Sequence, residues 1–177
     1  MELSEVLEKL LPSFKQYYDV VTENVLDPFK AEAKFVSHQE QYFLVHSAKL
    51  SDIDSTEHVY FATETNPSLE RFQQLAELAW NDGLKSVQPY YGHRNSDVTV
   101  IVLCENCDKS VLKACRKIKY SKTYKFMLYG WSNFKFAVID VNTGMTGSNG
   151  QGSDLKKFLL KTLKKSGAII NSYKQYF

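Results

Sequence analysis

The chain has 177 residues, of which 44% are apolar and 14% aromatic. That share of large apolar side chains excludes a disordered polar chain and suffices for a sizeable core. Eight Gly and 4 Pro exclude a low-complexity composition, and 22 Lys and Arg against 20 Asp and Glu leave a formal net charge of +2 that neither demands nor excludes a polyanionic partner.

The N-terminus, MELSEVLEKLLP, is acidic and amphipathic and lacks the basic-then-apolar order of a signal peptide. The apolar positions Leu3, Val6, Leu7, Leu10, Leu11, Phe14, Tyr17, Tyr18, Val21 and Val25 recur every three to four residues. They predict a helix over 4–26, capped by Ser4, kinked or broken at Pro12 and ended by Pro28. Three strands are expected next, at 31–36, 41–50 and 58–65, joined by short polar turns as an antiparallel meander. Asn66-Pro67 reads as a helix start, with Asn66 as the cap. The buried stripe of that helix is Leu69, Phe72, Leu75, Ala76, Ala79 and Trp80. Asp82-Gly83 reads as its stop, with Gly83 in the left-handed conformation. A loop over 85–96 follows.

Residues 97–104, DVTVIVLC, are almost wholly apolar and β-branched, as in a strand covered on both faces. Asp108 is placed to cap a helix whose inner face is Val111, Leu112, Cys115 and Ile118. A hairpin is expected from strands at 124–131 and 134–141 turning about Ser132-Asn133. A Gly-rich loop, 142–152, leads to a last helix capped by Ser153 or Asp154 and stopped by Gly167; the tail to Phe177 is expected to dock on the sheet. No internal repeat or linker interrupts the chain, so a single domain over 1–177 is expected. Its fold class is α+β: one mixed β-sheet of about six strands with four helices. The opening helix–β–β–β–helix–β order resembles the core of the restriction-endonuclease-like fold, a likeness of topology that carries no function.

No segment approaches the ~20 apolar residues of a membrane span. Three Cys, an odd number, fit reduced thiols and a cytoplasmic location. Cys104-Glu105-Asn106-Cys107 lies where a strand meets a helix, the setting of a thioredoxin-like redox pair. Against that reading, no Pro follows Pro89 to supply the cis-Pro such sites need, and Asp108 disfavours a thiolate at Cys107. A zinc site with His93 as third ligand is the weaker alternative, and buried structural thiols are the plain one.

Nuclease chemistry needs carboxylates and a Lys gathered around a metal. The one Glu-x-Lys on a predicted strand is Glu32-Ala33-Lys34, on the first strand rather than the third, while the third offers Glu64 without a Lys. Such a set is degenerate. The loop with Gly144, Gly147, Gly150 and Gly152 precedes Lys156 and Lys157, an arrangement that attracts anions, yet it lacks the Gly-Lys-Ser/Thr and dinucleotide-binding patterns. No catalytic set, metal site or cofactor follows from these motifs. His93 and Arg94, with Tyr90 and Tyr91, are the best small-ligand candidates, since His titrates near neutrality and Arg grips carboxylate or phosphate. Lys113, Lys117, Lys156 and Lys157, in a Lys-rich C-terminal half with Tyr120, Tyr124 and Phe126 interleaved, are candidates for phosphate contact and base stacking. Ordinary solvated helix faces look the same. His38, His46 and His58 receive no role.

The run Trp80, Gly83, Leu84, Val87, Pro89, His93-Arg94, Ser96-Asp97-Val98 and, later, Gly130-Trp131 resembles a group of small uncharacterised bacterial proteins, over roughly residues 57–152. The resemblance implies a domain of unknown function and supplies no functional residues. The expectation is a non-enzymatic cytoplasmic binding domain, with a nuclease-like enzyme as the alternative. An anionic ligand, a nucleic acid and a second copy of the chain are the candidate partners.

Overall fold

A computed structural model describes residues 2–37, 55–87, 95–125 and 128–169. Among these, seven strands form one mixed sheet: β1 (Asp19–Val21), β2 (Ala31–Ser37), β3 (Ser55–Thr65), β4 (Asn95–Glu105), β5 (Ser121–Thr123), β6 (Trp131–Asp140) and β7 (Thr146–Ser148). The order across it is β1-β2-β3-β4-β6-β5, with β7 also pairing β6. β3, β4 and β6 run parallel at the centre, and the remaining pairs are antiparallel. The predicted strand at 41–50 and the tail at 170–177 lie outside the described residues.

Period-two alternation sorts the side chains of the central strands onto two faces. Tyr60, Ala62, Val98, Val100, Val102, Phe134, Phe136 and Val138 meet α3 (Leu69–Gly83) and α4 (Lys109–Ala114). Val59, Phe61, Ile101, Leu103, Ala137 and Ile139 meet α1 (Leu3–Leu10), α2 (Pro12–Lys15) and α5 (Ser153–Lys165). β4 is buried along nine consecutive residues, 96–104, as a strand covered on both faces must be. The fold is therefore α+β, with four helical regions, the first divided at Pro12.

Several local expectations give way to tertiary contacts. The first helix stops at Lys15, and Asp19–Val21 pairs with β2 instead, Asp19 opposite Lys34. The β-branched Val20 and Val21 suit a strand once a partner edge is available. Asn66 does not cap α3: it sits at φ 51 and donates its N–H to the Glu105 carbonyl, while the Ser68 hydroxyl accepts from Arg71 N at 3.1 Å. Gly83 is right-handed, leading into a 3-10 turn over Leu84–Ser86. A Cβ there would stand 2.6 Å from Val98 Cγ2, so close packing of α3 on β4 is what calls for glycine. Asp108 is the N-cap residue of α4, as expected, though its side chain makes no capping hydrogen bond, and the N-cap of α5 is Gly152 rather than Ser153 or Asp154. Gly167, at φ +69, does end α5, with Gly167 N–H on Lys164 O and Ala168 N–H on Leu163 O, a Schellman closure.

The hairpin is displaced. Ser132 and Asn133 lie inside β6, opposite Lys122 and Ser121, and the reversal occurs between Tyr124 and Gly130. Ser132 is fully buried against β4, a better use of a small polar residue than a turn tip.

Candidate functional site

At the N-terminal ends of β3, β4 and β6 the apolar alternation breaks, and polar side chains enter both faces of the sheet. Toward α5, Glu57 on β3 is in register with Asp97 on β4, and Thr99 with Lys135 on β6. These residues form one network. Glu57 Oε1 accepts from Thr99 Oγ1 at 2.6 Å and from Lys135 Nζ at 3.2 Å. Glu57 Oε2 accepts from the Tyr18 hydroxyl at 2.6 Å, and Lys135 Nζ lies 2.6 Å from Asp97 Oδ2. Burial opposes the Lys135 charge, but Glu57 and Asp97 outweigh it and raise its pKa above the ordinary lysine value. Burial, reinforced by the Glu57 carboxylate, pushes Tyr18 up and keeps its hydroxyl a donor. Glu57, Thr99 and Lys135 floor a cavity of about 420 Å³ walled by Phe14, Tyr17, Tyr18, Leu155 and Phe158. α2 supplies Phe14, the turn after it supplies the tyrosines, and the first two turns of α5 supply Leu155 and Phe158.

Toward α3 a second chain of polar groups runs through His58. Its Nε2 is 2.8 Å from Glu32 Oε2, and its Nδ1 is 2.8 Å from the Tyr60 hydroxyl, which donates to Asp82 Oδ2 at 2.9 Å. Glu32 Oε1 also takes the Leu26 amide at 2.7 Å. Burial lowers the His58 pKa, and Lys34 adds to this, against the raising influence of Glu32 and Asp82. Burial and the Asp82 bond raise the Tyr60 pKa. A smaller hollow of about 140 Å³ lies at this end of the sheet, lined by Lys34, Glu57, His58, Ser96 and Asp97 among others.

In open α/β sheets ligands usually collect at the carboxyl ends of the strands. Here the end of β6 is taken up by its own turn. The buried Asp140 carboxylate accepts the amides of Cys107, Asn142 and Thr143 at 2.8–3.0 Å. Asn149, 2% exposed, accepts from Phe136 N and Gly152 N and donates to Ile118 O and Phe134 O. The Gly-rich loop packs along the edge of β6. A Cβ on Gly147 would lie 2.5 Å from Leu112 O, and one on Gly152 would overlap Phe136 O.

Tyr90, Tyr91, His93 and Arg94 lie outside the described residues, as does Phe126. Lys113 on α4 and Lys117 in the 3-10 turn after it are exposed on one side of the sheet. Lys156 and exposed Lys157 belong to α5 on the other, with Lys157 3.1 Å from Asp154. Tyr120 stacks on Trp80 and meets Phe134 edge-on, so its ring is engaged in the core. Cys104, Cys107 and Cys115 are free and buried. Burial raises all three thiol pKa values, that of Cys115 to about 12, the reverse of an activated redox pair. No group of three or more His, Cys, Asp or Glu able to hold a metal occurs among the described residues. Glu32 and Glu64 share a sheet face without sharing a cleft. Glu32 is opposite Tyr60, about 13 Å along β3 from Glu64, which Arg71 holds at 2.8 Å. Glu57, Asp97, Thr99 and Lys135 were missed, and His58 was given no role. The available signal was polar side chains at same-parity positions of otherwise apolar strands.

The fold and its cavity define an α+β domain with helices on both faces of a mixed sheet and a polar floor under one of them. Residues 2–161 match the family described as Domain of unknown function (DUF8052), and the chain belongs to that family. No curated protein and no solved structure matches it. Among the described residues no helix is long and apolar enough to cross a membrane.

Proposed function

We propose that this domain is a non-enzymatic binding module that holds a small ligand in the cavity between α2, α5 and the sheet. The observation that carries the reading is the Glu57–Lys135–Asp97 network, a costly set of charges to desolvate, of which Glu57 and Lys135 line an aromatic-walled cavity. Ligand sites of this kind are ~300–1,000 Å³ in volume, mostly apolar, with a few placed polar groups. Each charged group in it already has a partner that fixes it, which suits recognition. No group of three or more metal-binding side chains accompanies it among the described residues. Of the residues a nuclease-like enzyme would use, Glu32 is bonded to His58 and Glu64 to Arg71, about 13 Å apart along the sheet, which favours binding over cleavage.

A thermal-shift screen of uncharged, cationic and anionic small molecules against the full chain tests this. Stabilising compounds are expected, and Leu155→Trp, which fills the cavity from α5, is expected to abolish their effect. Hits that survive Leu155→Trp would place binding elsewhere, and turnover of a hit that Glu57→Gln abolishes would make the domain an enzyme.

A second reading keeps the basic residues as an anion surface, supported by the exposure of Lys113, Lys117 and Lys157. Because α4 and α5 cover opposite faces, each would act as its own patch. Reversing Lys113 and Lys117 to Glu, or Lys156 and Lys157 to Glu, should then each reduce salt-sensitive retention on DNA or RNA. Unchanged retention in both variants would end that reading.

A further inference from the structure

We infer that the ligand of this cavity is an organic cation: an ammonium or amidinium group on an apolar body. The inference rests on the binding reading above and names its ligand class. Charge balance is the first observation. Two carboxylates, Glu57 and Asp97, stand side by side in register on β3 and β4, and one ammonium, Lys135, serves both. Among the described residues the site is one positive group short.

The second observation is independent of the count. Asp97 is 9% exposed, and among the described residues its Oδ1 has no hydrogen-bond donor, although its Oδ2 is held by Lys135. A buried acceptor left without a donor is a standing cost of the folded state. Asp97 and Glu57 both line the smaller hollow, and Glu57 also lines the large cavity, so Glu57 is where a ligand in the cavity meets this acid-rich end of the sheet.

The walls supply the third. Phe14 meets Tyr18 at 5.5 Å and Phe158 at 5.6 Å between ring centroids, both in edge-to-face contact, which makes this wall aromatic. Tyr17 is 63% exposed and Phe158 39%, large apolar groups left open beside the cavity. Ring faces attract cations and give anions nothing. The features that would favour an anion are already answered. Lys135 is turned onto its two carboxylates, and the first turn of α5 carries Asp154.

Nuclear magnetic resonance titrations of the full chain with three probes of one shape separate the outcomes: 2-phenylethylamine, 2-phenylethanol and 3-phenylpropionate. The amine is expected to bind at least about tenfold tighter than either of the others, a difference typical of one charge-assisted contact. Glu57→Gln should erase that preference. Tyr17→Ala, at an exposed position that folding does not depend on, should weaken the amine more than the alcohol. If the alcohol or the carboxylate binds as tightly as the amine, the cation assignment is wrong and the cavity remains a binding site. If none of the three moves the resonances of Tyr18 and Thr99 at millimolar concentration, both readings fall. Retention of the full amine preference in both variants also overturns the assignment.

Discussion

Replacing Lys135 with Met keeps most of the aliphatic stem and removes the one ammonium between Glu57 and Asp97. The two carboxylates are then left side by side on neighbouring strands. Breaking a buried ion pair by deleting one partner costs about 3–5 kcal/mol. Here the side chains of Lys135 and Glu57 are 27% and 18% exposed. Partial screening brings the expected loss to roughly 2–3 kcal/mol, or about 1 M in the urea midpoint. Urea unfolding at pH 7, followed by the fluorescence of Trp80 and Trp131, measures it.

The pH dependence supplies a check on mechanism. The raised pKa of Lys135 keeps its contribution whole below the ordinary lysine value and removes it only as pH rises through the folded value. Glu57→Gln combined with Lys135→Met should recover at least half of the loss. A single-variant loss below about 0.5 kcal/mol, or a double variant as unstable as the single, would refute the ion-pair account.

His58 gives a dependence of the opposite kind. Burial holds its pKa below the ordinary value, so the unfolded chain takes up a proton there before the folded chain does. Its contribution is present above about pH 6.5 and is lost as pH falls toward the folded value; wild type should lose more stability between pH 7.5 and 5.5 than His58→Gln, and a steeper loss in the variant would contradict this. Gly152→Ala should destabilise by about 2 kcal/mol or more through overlap with Phe136 O, whereas Gly150→Ala, with nothing within 4 Å of the new Cβ, should be within about 0.5 kcal/mol of wild type by the same urea assay. Asn149→Ala strips partners from Phe136 N, Gly152 N, Ile118 O and Phe134 O and should cost about 3 kcal/mol or more, while an unchanged melting temperature would show that water replaces the amide without penalty. Cys104, Cys107 and Cys115 should resist a thiol reagent in the native state and react fully in urea; fast native labelling of Cys107 would count against their burial.

The sequence by itself determined the elements whose apolar period is strong. The stripe of α3, the doubly covered β4, the break at Pro12 and the stop at Gly167 follow from side-chain spacing and backbone chemistry that act within a few residues. The α+β class followed from the order of those elements. Tertiary structure decided whatever depends on a distant neighbour. Asp19–Val21 is a strand because β2 offers it an edge, Gly83 is small because Val98 presses on it, and Ser132 is inside β6 because β4 runs beside it. The site belongs to the same category. Glu57, Asp97 and Lys135 are 78 positions apart at the extremes and become one network only through parallel pairing of β3, β4 and β6. A charged residue in a strand reads as a solvated face until the register places its opposite charge on the adjacent strand.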